Sequence, residues 1–250
     1  MGRTQQVHRK SAYNLKEWQM AKLNLEILAY EPSPLGMLLL RRRELLFQPG
    51  TIVTEVTLNH EFLMSSLYTH SERALAETAV ELHGGTDLQV LVGGLGLGYT
   101  AYEAIQSEQV ASVEVVEFLP QVIEWLQNGL VPLSPQLNDH PKLTLTAGDV
   151  YQLLDNAPKQ TYDVIVIDVD HSPDERLDES SISFYTKSGL QAARKHLAPG
   201  GVLGVWSYAE SSPFADAMRD VFSEVVVKPV SFRNELVDED VTDWLFFART

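Results

Sequence analysis

Residues 88–100 read Leu-Gln-Val-Leu-Val-Gly-Gly-Leu-Gly-Leu-Gly-Tyr-Thr. An apolar run enters a G-x-G-x-G turn at Gly94, Gly96 and Gly98, with Gly93 just before it, and a helical pattern follows from Tyr99. Glycines let a backbone approach a ligand closely and adopt angles that a Cβ forbids, while the following helix points its free amides at the bound group. The arrangement is a nucleotide-binding signature, although the same turn also occurs as a purely structural one.

The next strand, Ala111-Ser112-Val113-Glu114-Val115-Val116-Glu117, ends in an acid at about 20 residues past the glycines, the spacing of a ribose-binding carboxylate. Glu117 is therefore expected to hold a ribose diol; the alternative is a cap for the helix that Pro120 opens. Tyr99 stands where a dinucleotide fingerprint has its last glycine. The turn thus suits an adenosyl sulfonium better than a pyrophosphate.

A chain of 250 residues with 44% hydrophobic and 21% charged residues is expected to form one main α/β domain with a small appendage. No apolar run approaches the ~20 residues of a membrane span, and the polar, basic N-terminus lacks both an apolar signal core and, at Gln6, the myristoylation pattern. A cytoplasmic protein without a membrane partner is expected. With no cysteine, disulfides, thiol catalysis and thiolate metal sites are excluded, and no metal is expected. A net charge of -15 argues against nucleic acid as a partner and fits small cationic ones, though acidity also simply keeps a chain in solution.

Along the chain, residues 13–28 have helical spacing, and Leu38-Leu39-Leu40 and Thr51–Val56 read as two strands of a small N-terminal β element. Arg41-Arg42-Arg43 reads as a solvated strand edge. A helical pattern runs from His60 to Leu82 and stops at Gly84-Gly85. Strands are then predicted at 88–92, 112–116, 143–146, 163–168 and 202–206, separated by helices near 99, 120–128, 150–154 and 183–196, with a final helix at 213–222 and apolar runs at 225–227 and 244–248. Such βα alternation implies a doubly wound, mostly parallel, seven-stranded sheet of Rossmann-like type. The boundaries expected are 1–58 for an N-terminal helix with the β element and 59–250 for the ligand-binding α/β domain.

In an open α/β sheet the ligand lies beyond the carboxyl ends of the strands. Here those ends carry Glu117, then Gly148-Asp149, then Asp168 and Asp170. A strand-end Asp is commonly a helix cap, yet four acids over three successive strand ends mark a cleft. In its blocks Asn59-His60-Glu61-Phe62, VLVGGLGLGYT, VEVVEFLPQVIEWL, PKLTLTAGDVYQLL, YDVIVIDVDHSPDE and SFYTKSGLQAARKHLAPGGVL, the chain resembles the polyamine aminopropyltransferases, the spermidine synthase family with the class I methyltransferase fold. The resemblance spans roughly residues 35–225.

That resemblance implies an adenosyl donor, S-adenosylmethionine or its decarboxylated form, held by Gly93, Gly94, Gly96, Gly98 and Gly148. It places the ribose on Glu117, the adenine amino group on Asp149, and the catalytic acid at Asp168. It also implies a homodimer. The chain departs from the family at Gly96, which stands where an Asp usually grips the donor's amine, and at Asp168-Val169-Asp170, where the second acid is moved by one position. Asn59 replaces a family tyrosine, and Leu236-Val237-Asp238-Glu239-Asp240 replaces a late Tyr-Pro-Ser-Gly segment. The expected activity is transfer from a sulfonium to a small cationic amine, with Asp168 or Asp170 as base and anchor, His171 as an alternative base, and an altered acceptor site. Asn59, His60, Glu61 and a loop Asp238-Glu239-Asp240 closing over the cleft are expected to meet the acceptor. A methyltransferase acting on a small molecule and a non-catalytic adenosyl-binding scaffold are the alternatives.

Overall fold

A computed structural model describes residues 25–175, 177 and 181–250. The apolar run before the glycines becomes β5 (Leu88–Gly93), the middle of a seven-stranded sheet, because it is buried on both faces. Val90 and Val92 point into one hydrophobic layer and Leu91 into the other. β6 (Val110–Glu117) and β7 (Leu143–Ala147) extend the sheet on one side of β5. On the other side lie β8 (Tyr162–Ile167) and β9 (Leu197–Ser207), all parallel to it. β10 (Glu224–Asn234) and β11 (Glu239–Arg249) close that side as an antiparallel hairpin, giving the order β10-β11-β9-β8-β5-β6-β7. Because the chain leaves β5 toward β6 and later returns to β8, the sheet reverses at β5, and a crevice opens beyond the ends of β5 and β8.

The hairpin outgrows its support. β11 pairs with β9 only from Trp244 to Arg249, whereas β10 and β11 stay paired as far as Asn234 and Glu239. Its outer half is a two-stranded ribbon standing past the sheet.

Helices α1 (His70–His83) and α2 (Tyr99–Gln106) cover one face; α5 (Val150–Asp155), α6 (Lys187–Arg194) and α7 (Ser212–Arg219) cover the other, with α3 (Pro120–Gln127) and the single turn α4 (Ser134–Leu137) beside β6. The N-terminal element is larger than the two strands expected. β1 (Leu25–Ser33), β2 (Gly36–Glu44), β3 (Ile52–Leu58) and β4 (Glu61–Ser65) form an antiparallel meander. Of the expected helix 13–28, residues 13–24 lie outside the described residues, and Leu25–Leu28 are strand.

Asn59 and His60 do not open a helix. Both have positive φ, 51° and 72°, and make the two-residue turn from β3 to β4. α1 starts only at His70. The meander therefore crosses the expected boundary at 58 and ends at Ser65. α6 is shorter than 183–196 because Ser181–Thr186 forms turns and the Thr186 hydroxyl caps Gly189 N at 3.2 Å.

The arginine run is not a solvated edge. Arg41 and Arg43 converge on Glu55, which is only 4% exposed, with contacts of 2.8 Å and 2.5 Å. Arg42 donates to the Leu130 carbonyl at 2.8 Å, and Trp125 Nε1 donates to Glu31 at 2.9 Å, so the meander is fastened to the sheet domain. Burial alone would lift the Glu55 carboxyl, but Arg43 and Arg41 outweigh it and hold it below the usual range.

Removing that carboxylate strands two half-buried guanidiniums, so Glu55→Gln is expected to cost about 1–3 kcal/mol in urea unfolding at pH 7, less than a fully buried pair because both arginines reach solvent. A depressed folded pKa gives stability that is present above the unfolded value and fades as pH falls through the folded one. The difference between wild type and Glu55→Gln should therefore shrink on acidification; a constant difference would contradict the ion-pair account.

Candidate functional site

Beyond the ends of β5, β6 and β8 lies a cavity of about 370 Å³, within the range of small-molecule sites. Its back is the glycine turn. Gly94 has φ 90°, and a Cβ there would stand 2.2 Å from the Asp168 carbonyl oxygen, so this crossing of the β5 and β8 ends is closed to any other residue. Gly98, at φ 92°, lets α2 begin against Leu137, which a Cβ would approach to 2.5 Å.

Glu117 is 7% exposed and accepts from Leu95 N at 2.7 Å and Leu119 N at 2.8 Å. One carboxylate thus ties the glycine turn to the turn before α3. Burial raises its pKa, opposed by those backbone donors. Glu117 caps the turn before α3, and it also lines the cavity. Asp149 is likewise both things: it caps α5 through Tyr151 N at 2.8 Å and Gln152 N at 3.3 Å, and it lines the cavity.

Asp168 faces the cavity at the foot of β8 and accepts from the Thr100 hydroxyl at 2.5 Å. Desolvation pushes its pKa up to about 6, with Asp243 adding to the rise and Thr100 opposing it. Glu72, in the first turn of α1, is pushed up to about 8 by desolvation and then by Asp168 and Asp243. Ser71 bridges the group, its hydroxyl 2.6 Å from Asp243 and 3.2 Å from Glu72. Three carboxyls thus share one end of the cavity, and none of its described lining residues is Lys or Arg. The nearby Arg73 is engaged with Glu103 at 3.0 Å and lies over the Tyr99 ring.

Asp170 is built differently. It is 2% exposed and receives Tyr151 OH at 2.7 Å, Tyr185 OH at 3.0 Å and Leu177 N at 2.7 Å. Burial and the neighbouring acid keep the Tyr151 phenol protonated, its pKa well above the usual value. These contacts make Asp170 an anchor for the segment after β8 rather than a free base.

Of the residues singled out by sequence, Gly94, Gly96, Glu117, Asp149, Asp168, Asp170 and His171 line this cavity, with Gly93 and Gly148 next to lining residues. Asn59, His60 and Glu61 are not among the lining residues, although Glu61 adjoins the lining Phe62; Asn59 spends its amide within the meander, accepting from Met37 N at 2.9 Å and donating to Leu35 O at 3.1 Å. Asp238, Glu239 and Asp240 do not close over the cleft as a loop. They form the tip and first rung of the β10–β11 hairpin, where Arg233 pairs with Asp238 and with Asp240. Glu72 and Asp243 were missed. Asp243 ends the acidic tract 235–243, and only the strand register, which sets it opposite Val230, turns it inward.

The Spermine/spermidine synthase domain matches residues 69–224. A polyamine aminopropyltransferase of Prochlorococcus marinus is 31% identical over 162 residues, 63% of this chain and 52% of that protein. A putrescine N-methyltransferase of Nicotiana attenuata is 29% identical over 123 residues, 49% of this chain and 31% of that protein. The chain spans about half, or less, of the length of the curated relatives it matches. The spermidine synthase from Thermotoga maritima superposes with a TM-score of 0.68 over 89% of this chain and 72% of that one, at 17% identity.

The raised carboxyls predict a pH signature. A carboxyl whose folded pKa exceeds its unfolded value makes the folded state bind the extra proton, so stability falls as pH climbs from the unfolded value toward the folded one. For Glu72 that window runs from 4.5 to about 8. Glu72→Gln is expected to stabilise the ligand-free protein by about 1–3 kcal/mol at pH 8.5 and by much less at pH 5, as read from thermal unfolding. Equal effects at both pH values would show that Glu72 is not held protonated.

Proposed function

The chain belongs to the spermine/spermidine synthase family, and on that premise we propose that it transfers a carbon group from an adenosyl sulfonium donor to an amine. The observation that carries this reading is the trio Glu72, Asp168 and Asp243 facing a glycine-walled cavity without a basic partner. Carboxyls desolvated together repel one another unless a cation joins them, and a protonated amine is that cation. The donor fits the opposite side: Gly94 and Gly98 clear the backbone cradle, Glu117 faces the ribose, and Asp149 the adenine edge.

Reaction at a carbon bonded to a sulfonium needs no acid for its leaving group, so the protein supplies alignment and a deprotonated nucleophile. Asp168 is the base. Its pKa of about 6 leaves it ionised at neutral pH yet close enough to accept a proton. Glu72 and Asp243 hold the incoming ammonium and share the proton afterwards. Asp170 holds the roof. No group of three or more metal-ligating side chains gathers among the described residues, and none of these roles calls for one.

Methyl transfer from S-adenosylmethionine itself is the second reading, favoured by Gly96. That residue lines the cavity and carries no acid for the amine of a decarboxylated donor.

Asp168→Asn is expected to lower turnover by about 10²–10⁴-fold while changing the affinity for 5′-methylthioadenosine or S-adenosylhomocysteine less than threefold; unimpaired turnover would remove Asp168 from the chemistry. Gly96 has φ 53°, a conformation Asp tolerates, and a Cβ there meets only Met64 Sδ at 3.5 Å. Gly96→Asp is therefore expected to fold and to raise the preference for decarboxylated S-adenosylmethionine over S-adenosylmethionine, measured by calorimetry. An unmoved ratio would separate this position from the donor's amine.

A further inference from the structure

Of the lining acids without a basic partner, Glu117, Asp149 and Asp170 are engaged by backbone amides or tyrosine hydroxyls, whereas Glu72, Asp168 and Asp243 sit together at one end with hydroxyl donors from Ser71 and Thr100. From them an arm runs along the β10–β11 ribbon, walled by Tyr68, Phe232, Asn234 and Leu236. The register dictates this layout. Asp243 lies opposite Val230, and Phe232 and Asn234 are the next residues on that face toward the hairpin tip. At ~3.3 Å per residue they stand about 7 Å and about 13 Å beyond the acid.

The wall is fixed rather than loose. Phe232 stacks on Tyr68 with ring centroids 5.0 Å apart, and the Tyr68 hydroxyl accepts Glu235 N at 2.8 Å. Of the ribbon's other acids, Asp238 and Asp240 pair with Arg233, whose side chain belongs to the opposite face from Phe232, while Glu239, opposite Asn234, and Glu235, in the tip turn, are exposed and line no part of the cavity. Among the described lining residues this arm therefore offers no carboxylate. A second ammonium placed there would lose its hydration with no anion to replace it, whereas a flat apolar ring would stack on the aromatic wall.

We propose that the acceptor is a primary arylalkyl monoamine, its single ammonium among Glu72, Asp168 and Asp243 and its ring against Phe232 and Tyr68, rather than an aliphatic di- or polyamine. This deepens the transferase reading and rests on it. In the transfer, the amine loses a proton to Asp168 and its nitrogen forms a bond to the donor carbon. The carbon–sulfur bond breaks and its electron pair stays on sulfur, so the sulfonium's positive charge passes to nitrogen, leaving a neutral thioether and a secondary ammonium.

The test is calorimetry on the full chain saturated with 5′-methylthioadenosine, using 2-phenylethylamine, putrescine and spermidine as probes. 2-Phenylethylamine is expected to bind at least about tenfold tighter than either polyamine. Phe232→Ala, or Phe232→Leu where alanine weakens the ribbon, should cut that affinity about tenfold and leave 5′-methylthioadenosine binding within about twofold. Putrescine or spermidine binding as tightly as 2-phenylethylamine overturns the proposal and leaves the transferase reading standing, as does a nucleoside-loaded chain that takes up none of the three amines. Failure of both 5′-methylthioadenosine and S-adenosylhomocysteine to bind overturns the two together.

Discussion

The site depends on one buried carboxylate. Glu117 ends β6, and its two oxygens accept amides from the glycine turn and from the turn into α3. A carboxylate desolvated to this degree is tolerated only because backbone donors surround it, and those donors are thereby fixed in direction. The turn beside it obeys an equally hard limit, the contact between Gly94 and the Asp168 backbone that a Cβ would abolish. Together they lock the relative heights of the ends of β5, β6 and β8. Asp168 and the other side chains at those strand ends inherit their positions from that lock.

What the sequence made legible follows from the same physics. The parallel strands are legible because burial on both faces makes them continuous apolar runs, as in Val164-Ile165-Val166-Ile167, and the glycine turn because only glycine survives there. Both are local signals. The end of the cavity that gathers Glu72, Asp168 and Asp243 is assembled from distant pieces. Glu72 looks like any helical acid until α1 docks over the sheet, and Asp243 cannot be told from its neighbours until the hairpin register is known, since a shift of one residue would face it outward. Asn59 and His60 were misleading for a local reason: two residues of positive φ make a tight turn, and the helix-like pattern after them conceals a short strand.

The two ends of the cavity are stabilised by opposite means. At the glycine end, acids are satisfied by backbone amides. At the other end, Glu72, Asp168 and Asp243 have one another and two hydroxyls, Ser71 and Thr100, as company, and burial raises all three pKa values. Glu55, which also lines the cavity, is the contrast: there two arginines are supplied by the chain itself, and the carboxylate is pulled down instead of up.

The ribbon formed by the outer halves of β10 and β11 stands beyond β9 and shares no ladder with it. Its inward residues Phe232, Asn234 and Asp243 line the cavity, while pairing with β9 begins only at Trp244. At its base Val230 packs on the buried layer and Asp243 is buried, whereas residues 235–239 at its tip are exposed and add nothing to that layer. The aromatic wall of the cavity and its glycine turn are thus set by different stretches of the chain.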